Sequence, residues 1–238
     1  MKKNSIDQDI LYEDNHLIIL NKRPSDIVQG DKTGDEPLSE ILKNYIRDKY
    51  SKPGDVFLGV VHRLDRPVSG AVIFARTSKA LTRLNIMLRD GEIHKTYWAV
   101  VKNKPPQAEE HLVQYLTRNT EKNKSFVSDN PVAGSQKAEL IFKVLDKSDG
   151  YYLLEVNLLT GRHHQIRAQL SAMGCPVKGD LKYGYPRSNP GGFIHLHARA
   201  ISFLHPVKKE MLNIIAPPPQ DKLWDFFSKN SPSEASLR

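Results

Sequence analysis

The sequence predicts an α+β protein in which a largely antiparallel sheet carries a few flanking helices. Three observations lead there. Short apolar or alternating runs rich in Val, Ile, Tyr and Phe recur along the chain, and several are joined by tight polar turns rather than helical crossovers. Helical spacing of apolar residues is confined to a few stretches, near 37–50, 78–90, 163–170 and around Leu223 to Phe227. Hydrophobic residues make up 39% of the 238 and charged residues 26%, the balance of a globular protein long enough to bury a sizeable core. One domain over residues 1–228, followed by a disordered polar tail at 229–238, is the expected organisation.

Ile10-Leu11-Tyr12 and Leu17-Ile18-Ile19-Leu20 flank Glu13-Asp14-Asn15-His16, a hairpin pattern with a polar turn. Residues 25–36, with Gly30, Gly34 and three aspartates, read as a loop. Leu38, Ile41, Leu42, Tyr45 and Ile46 then recur at helical spacing behind Pro37, which suits a first helical turn. Next comes the densest chemistry in the chain. Val56-Phe57-Leu58-Gly59-Val60-Val61 and Ala71-Val72-Ile73-Phe74-Ala75 read as buried strands on either side of His62-Arg63-Leu64-Asp65-Arg66-Pro67-Val68-Ser69-Gly70. Holding an ion between core strands is costly unless it is paired, so Asp65 is either half of a structural ion pair or a carboxylate facing a cleft.

Ser78 can cap a helix that carries Leu81, Leu84 and Leu88 on one face and ends at Gly91. In the strand His94 to Val101, Thr96, Trp98 and Val100 face one way and Lys95, Tyr97 and Ala99 the other. Residues 102–137 are polar, with weak strands near 112–116 and 125–127, and read as a mobile hairpin reaching over a partner. Firmer strands follow at Ala138 to Leu145 and Tyr151 to Leu159, turning on Ser148-Asp149-Gly150.

Thr160-Gly161-Arg162 leads into a helix from His163 to Leu170 that ends near Gly174. Ile166, Leu170 and Met173 share its core stripe, and His163 and Arg167, four apart, share another face. Free N–H groups at its start suit a phosphate or carboxylate. From Phe193 to Leu204, Ile194, Leu196, Ala198 and Ala200 alternate with His195, His197 and Arg199, leaving solvent, a metal or nucleic acid as readings of the polar side. Metal is the weakest of these, because His-x-His lacks an obvious third ligand. A last hairpin near 205–215 and Pro217-Pro218-Pro219 precede the short helix with Leu223, Trp224, Phe226 and Phe227.

The net charge of +8 points to a polyanionic partner, with nucleic acid ahead of an acidic membrane surface. Between 161 and 199 stand Arg162, Arg167, Lys178, Lys182, Arg187 and Arg199 against Asp180 alone, which is five of the eight excess charges. A solvated basic face is the plain alternative. The single Cys175 excludes an internal disulfide and a cysteine zinc cluster, and a packed inert thiol is expected. No run approaches a membrane span and no signal-peptide pattern follows Met1, so a cytoplasmic protein is expected.

Three separated stretches resemble the RluA-type pseudouridine synthases. His62-Arg63-Leu64-Asp65-x-x-x-Ser69-Gly70 is similar to that family's catalytic motif, Lys95-x-Tyr97-x-Ala99 to its second, and Leu159-Thr160-Gly161-Arg162-x-His164-Gln165-Ile166-Arg167 to its third. Gly179-Asp180 with Tyr183-Gly184, then Leu196-His197-Ala198 with Phe203-x-His205-Pro206, continue the resemblance in order across roughly residues 10–216. Pro67, Val68 and Ala168-Gln169 depart from the usual pattern.

The resemblance implies a bent mixed sheet with a central RNA-binding cleft, without the frequent N-terminal S4 domain, so RNA affinity is expected from the catalytic domain itself and to be strongly salt-dependent. It implies isomerisation of uridine within ribosomal or transfer RNA by a monomer, without cofactor or metal. Asp65 would be the catalytic carboxylate, Arg167 its orienting partner, and Tyr97 the residue that stacks on uracil and helps remove the C5 proton. Arg63 would fill the place of the displaced base, and His62, Arg162, His164, Gln165, Ile166 and His197 would shape or contact the substrate. Two other classes compete: a catalytically silent RNA-binding module, and a metal-dependent phosphodiesterase built on His195 and His197.

Overall fold

The structure, a computed structural model, describes residues 6–31 and 33–230. In chain order it contains β1 (Ile10–Glu13), β2 (Leu17–Lys22), α1 (Leu38–Lys49), β3 (Gly59–Val60), β4 (Ser69–Ala75), α2 (Ser78–Arg89), β5 (His94–Val101) and β6 (Glu109–Asn119). Then follow β7 (Lys124–Ser128), β8 (Gln136–Ser148), β9 (Tyr151–Leu158), α3 (Gln165–Ala172), β10 (Leu196–Leu204), β11 (Met211–Ile215) and α4 (Lys222–Asn230). The fold is α+β with a large, mostly antiparallel sheet. The chain divides into two compact units, Met1–Ile93 with Arg199–Pro217, and His94–Ala198 with Pro218–Arg238.

In the first unit β1 pairs with β2, β2 with β4, β3 with the end of β4, and β11 with β10. All seven residues of β4 are buried, which explains why its sequence is an unbroken apolar run rather than an alternating one. Leu17, Ile19, Ala71, Ile73, Leu84, Ile201 and Phe203 share one core cluster. Asp14 builds the first hairpin's turn by accepting the N–H groups of His16 and Leu17, both at 2.8 Å. In α1, Leu38, Leu42 and Ile46 are buried, each contributing roughly 2 kcal/mol.

Several boundaries differ from the sequence expectations for local reasons. Pro37 is the N-cap of α1, one position before the first turn. Thr77, not Ser78, caps α2, with its Oγ1 accepting the Ala80 N–H at 3.2 Å. The run before the charged turn is a strand only at Gly59–Val60; Phe57 is exposed and its segment makes no ladder.

In the second unit the strand order is β5-β9-β8-β6-β7. The register places Tyr97, Val156, Phe142, Leu140, Ala138 and Leu116 on one face and Trp98, Val100 and Leu153 on the other. On the first face, Ala168 of α3 packs with Leu116, Ala138 and Tyr183. On the second, Trp224 and Phe227 of α4 pack with Trp98, Val100 and Leu153. Each helix covers the face whose residues are apolar, which is the reason the alternation along β5 matters.

The 102–137 segment is more ordered than its composition implied: β6 and β7 pair through five positions, and β6 pairs with β8 through eight. Only Leu112 and Leu116 of β6 are buried, so charged residues dilute the pattern that would have marked an eleven-residue strand. Lys229 and Asn230, expected at the start of a disordered tail, close α4; the rest of that expected tail, 231–238, lies outside the described residues. Cys175 is a buried free thiol, as expected.

Candidate active site

Within the first unit, β3 ends just before His62, and β4 begins at Ser69, so His62, Arg63 and Asp65 occupy the connection between two paired strands. The His62 ring takes the ladder position that the strand gives up: its Nε2 accepts the Ile73 N–H at 3.2 Å, which leaves the ring proton on Nδ1. Asp65 heads a turn closed by the Val68 N–H to the Asp65 carbonyl at 3.0 Å. Gly70 has φ of 116°, a conformation that favours glycine, and so lets the chain leave this turn directly into β4. Arg63 is exposed and Asp65 partly buried.

The turn is held from beneath by Lys22. Pairing of Lys22 with Gly70 brings its side chain under the 66–68 backbone, where Nζ donates to the carbonyls of Val68 at 2.6 Å, Arg66 at 3.1 Å and Arg23 at 2.9 Å. Lys22 is 1% exposed, and burial pushes its ammonium down to about 8, partly offset by the charges of Asp26 and Asp65. The Arg66 guanidinium points the other way and binds Asp35 at 2.6 Å and Thr33 Oγ1 at 2.5 Å, tying the acidic loop to the turn.

Within the second unit, Tyr97 is buried on the face that carries α3. Arg167 is also buried, and its Nε and Nη2 donate to the two carboxylate oxygens of Asp180 at 2.7 and 2.9 Å. Its guanidinium also lies 5.0 Å from the centre of the Tyr183 ring. A forked pair of this kind fixes the plane of the cation as well as its position.

The residues before Arg167 are largely engaged by the protein itself. The Gln165 Oε1 accepts from Thr160 Oγ1 at 2.8 Å and the Arg162 N–H at 2.9 Å, while its Nε2 donates to the Glu139 carbonyl at 3.0 Å. Ile166 is buried. The Tyr183 hydroxyl accepts the Ser125 N–H at 2.8 Å and is hydrogen-bonded to His164 Nδ1 at 3.0 Å. His164, with φ of 53°, is the N-cap of α3, and His163 therefore lies off the helix rather than on a face with Arg167. Its ring stacks on His164 at 3.8 Å and hydrogen-bonds Ser125 Oγ through Nδ1. Arg162 is exposed, with Nε on the Lys137 carbonyl.

His195 and His197 do not line a solvent face, for both are fully buried near Trp224. The Asn189 Nδ2 group donates to His195 Nδ1 at 3.0 Å, so Nε2 carries the proton and donates to Asp221 Oδ1 at 2.9 Å. Both His195 nitrogens are thus taken, which overturns the His-x-His metal site on which the phosphodiesterase reading depended. The basic 161–199 segment is also smaller as a surface than as a string: Arg162, Lys182 and Arg187 are exposed, while Arg167 is buried against Asp180.

Lys22 and Asp180 are the site residues that sequence reasoning passed over. A lysine closing an apolar strand reads as a snorkelling end, and Asp180 entered as a charge to be subtracted and as part of a matching stretch, with no role given to it. The one available signal was its place in the Gly179-Asp180 pair.

A family model described as RNA pseudouridylate synthase matches residues 16–172. The chain is 32% identical over 235 residues to an uncharacterized RNA pseudouridine synthase of Synechocystis sp., covering 96% of this chain and 71% of that one. It is 34% identical over 214 residues to the ribosomal large subunit pseudouridine synthase C of Vibrio cholerae, covering 87% of this chain and 65% of that one. The solved structure of human RNA pseudouridylate synthase domain containing 4 shares the fold, with a TM-score of 0.77 at 21% identity over 93% of this chain and 92% of that one. Among the described residues no helix is long and apolar enough to cross a membrane.

Proposed function

The chain belongs to the RNA pseudouridylate synthase family, and from that premise we propose that it isomerises uridine to pseudouridine in ribosomal RNA, with transfer RNA the other candidate substrate. The observation that carries this reading is that the family match over 16–172 contains Asp65, Tyr97 and Arg167 together. In the proposed reaction the bond from uracil N1 to the sugar C1′ breaks, the base turns, C5 bonds to C1′, the C5 proton leaves, and the freed N1 takes up a proton. Atoms balance within the nucleotide, as an isomerase requires.

Asp65 is the carboxylate that acts at the sugar or base edge. Its support is the turn closed at Val68 and gripped by Lys22, which holds the Asp65 backbone in one conformation before substrate arrives. Arg167 orients the carboxylate, and its own direction is set in advance by Asp180. Tyr97 stacks on the uracil and assists removal of the C5 proton. A uridine in folded RNA must leave its stack at a cost of a few kcal/mol, and the exposed Arg63 fills the vacated place.

His62, His164, Gln165, Ile166 and His197 act by shaping the backbone and core around these groups, a reading supported by the internal hydrogen bonds of the first three and the burial of the last two. Arg162 meets the RNA backbone. The protein works as a cytoplasmic monomer.

The test is incubation of the protein with bulk RNA in the presence of chelator, followed by digestion to nucleosides. Pseudouridine appears and RNA length is unchanged. Chelator-sensitive cleavage would instead identify a metal-dependent phosphodiesterase, and binding without pseudouridine would identify a silent RNA-binding module.

A further inference from the structure

Lys95 stands in the same short segment as Tyr97, and the reaction gives it no part. The register of β5 sets Lys95 opposite Leu158 and Tyr97 opposite Val156, so the two side chains leave the sheet on the same face. The ammonium lies against the turn that leads into α3: a Cβ added at Gly161 would sit 3.7 Å from Lys95 Nζ. Burial alone acts on the group and holds it below the ordinary lysine range.

Among the described residues Lys95 has no hydrogen-bond or ion-pair partner, unlike Lys137, Lys178 and Lys182 of its unit. Lys137 pairs with Glu139 at 2.7 Å, Lys178 bonds Asn189 Oδ1 at 2.5 Å, and Lys182 bonds the Asn123 carbonyl at 3.0 Å. A cation drawn out of water without a counter-charge costs stability, so nothing in the folded chain accounts for an ammonium at this position. The face it shares with Tyr97 is the one we assign to the substrate, and the anions of RNA are its phosphates.

We propose that Lys95 binds a backbone phosphate of the substrate RNA beside the target uridine, the anion completing an ion pair that the protein leaves half made. The inference rests on the proposed function. The phosphate contact anchors the nucleotide whose base Tyr97 stacks on, so Lys95 is a substrate-binding residue and not a proton carrier.

The test measures equilibrium RNA binding against salt concentration in the Asp65→Asn background, where no turnover intervenes, using bulk ribosomal RNA and then any fragment that wild type converts. Lys95→Met weakens binding about tenfold and lowers the slope of log affinity against log salt by about one, while Lys95→Arg keeps the slope. Without RNA, Lys95→Met melts at the same temperature as its parent or higher, because the lone cation has been removed. Unchanged affinity and slope, with product formation lost when Asp65 is intact, would overturn the proposal in favour of a role on the base. A lowered melting temperature would overturn it in favour of a structural role. If wild type converts no uridine in any RNA, the assigned reaction fails, and the slope on bulk RNA still decides the phosphate contact.

Discussion

At the scale of single residues, Lys22 does what a loop cannot do for itself. Three carbonyls, at Arg23, Arg66 and Val68, converge on its ammonium, and together they hold the turn that carries Asp65. Lys22→Met strands those carbonyls and is expected to cost about 2–4 kcal/mol, read as a lower urea midpoint. It also lowers kcat at least about tenfold with KM little changed, since the turn positions the carboxylate rather than binding RNA. A variant with wild-type kcat would show that Asp65 is placed by other means. Asp65, Tyr97 and Arg167 could be proposed from the sequence because each sits in a distinctive local string. Lys22 and Asp180 could not, because what each does is set by pairings across the fold: Lys22 by its register with Gly70, and Asp180 by a side chain thirteen residues away.

At the scale of elements, α4 is held on its sheet by packing and through Asp221. Asp221 accepts the N–H groups of Leu223 and Trp224 at the start of α4 and the Nε2 proton of His195. Burial lowers His195 to about 4, a shift that its hydrogen bond to Asp221 only partly opposes. The unfolded chain, with an ordinary histidine pKa near 6.5, takes up a proton before the folded one does. This contribution is therefore complete above about pH 6.5, declines as pH falls, and is exhausted near pH 4, a loss of up to about 3 kcal/mol. His195→Gln is expected to flatten the fall of urea midpoint between pH 6.5 and 4 relative to wild type; parallel curves would remove His195 as the cause. The alternation of Phe193 to Leu204 was legible, but the burial of its histidines was not. A strand covered on both faces makes no distinction between polar and apolar sides, and α4 lies far along the chain. The β6–β7 hairpin was underestimated for the converse reason, since strand pairing orders it despite few buried side chains.

At the scale of the whole molecule, the α+β class and the largely antiparallel sheet followed from the tight turns that join β1 to β2 and β8 to β9. The division into two units did not, because the first unit is closed by Arg199–Pro217, far from its other residues in sequence. Net charge of +8 was a sound guide to the kind of partner but not to the surface that meets it, since Arg167 is buried beside Asp180 rather than exposed. The account holds that this chain makes pseudouridine through Asp65. The most direct measurement is pseudouridine formed per enzyme from ribosomal RNA by wild type and by Asp65→Asn, with circular dichroism and RNA affinity measured alongside. Asp65→Asn is expected to match wild type in melting and in binding and to lose product by at least about 10⁴-fold. Product at a rate near wild type from a folded Asp65→Asn protein would contradict the account.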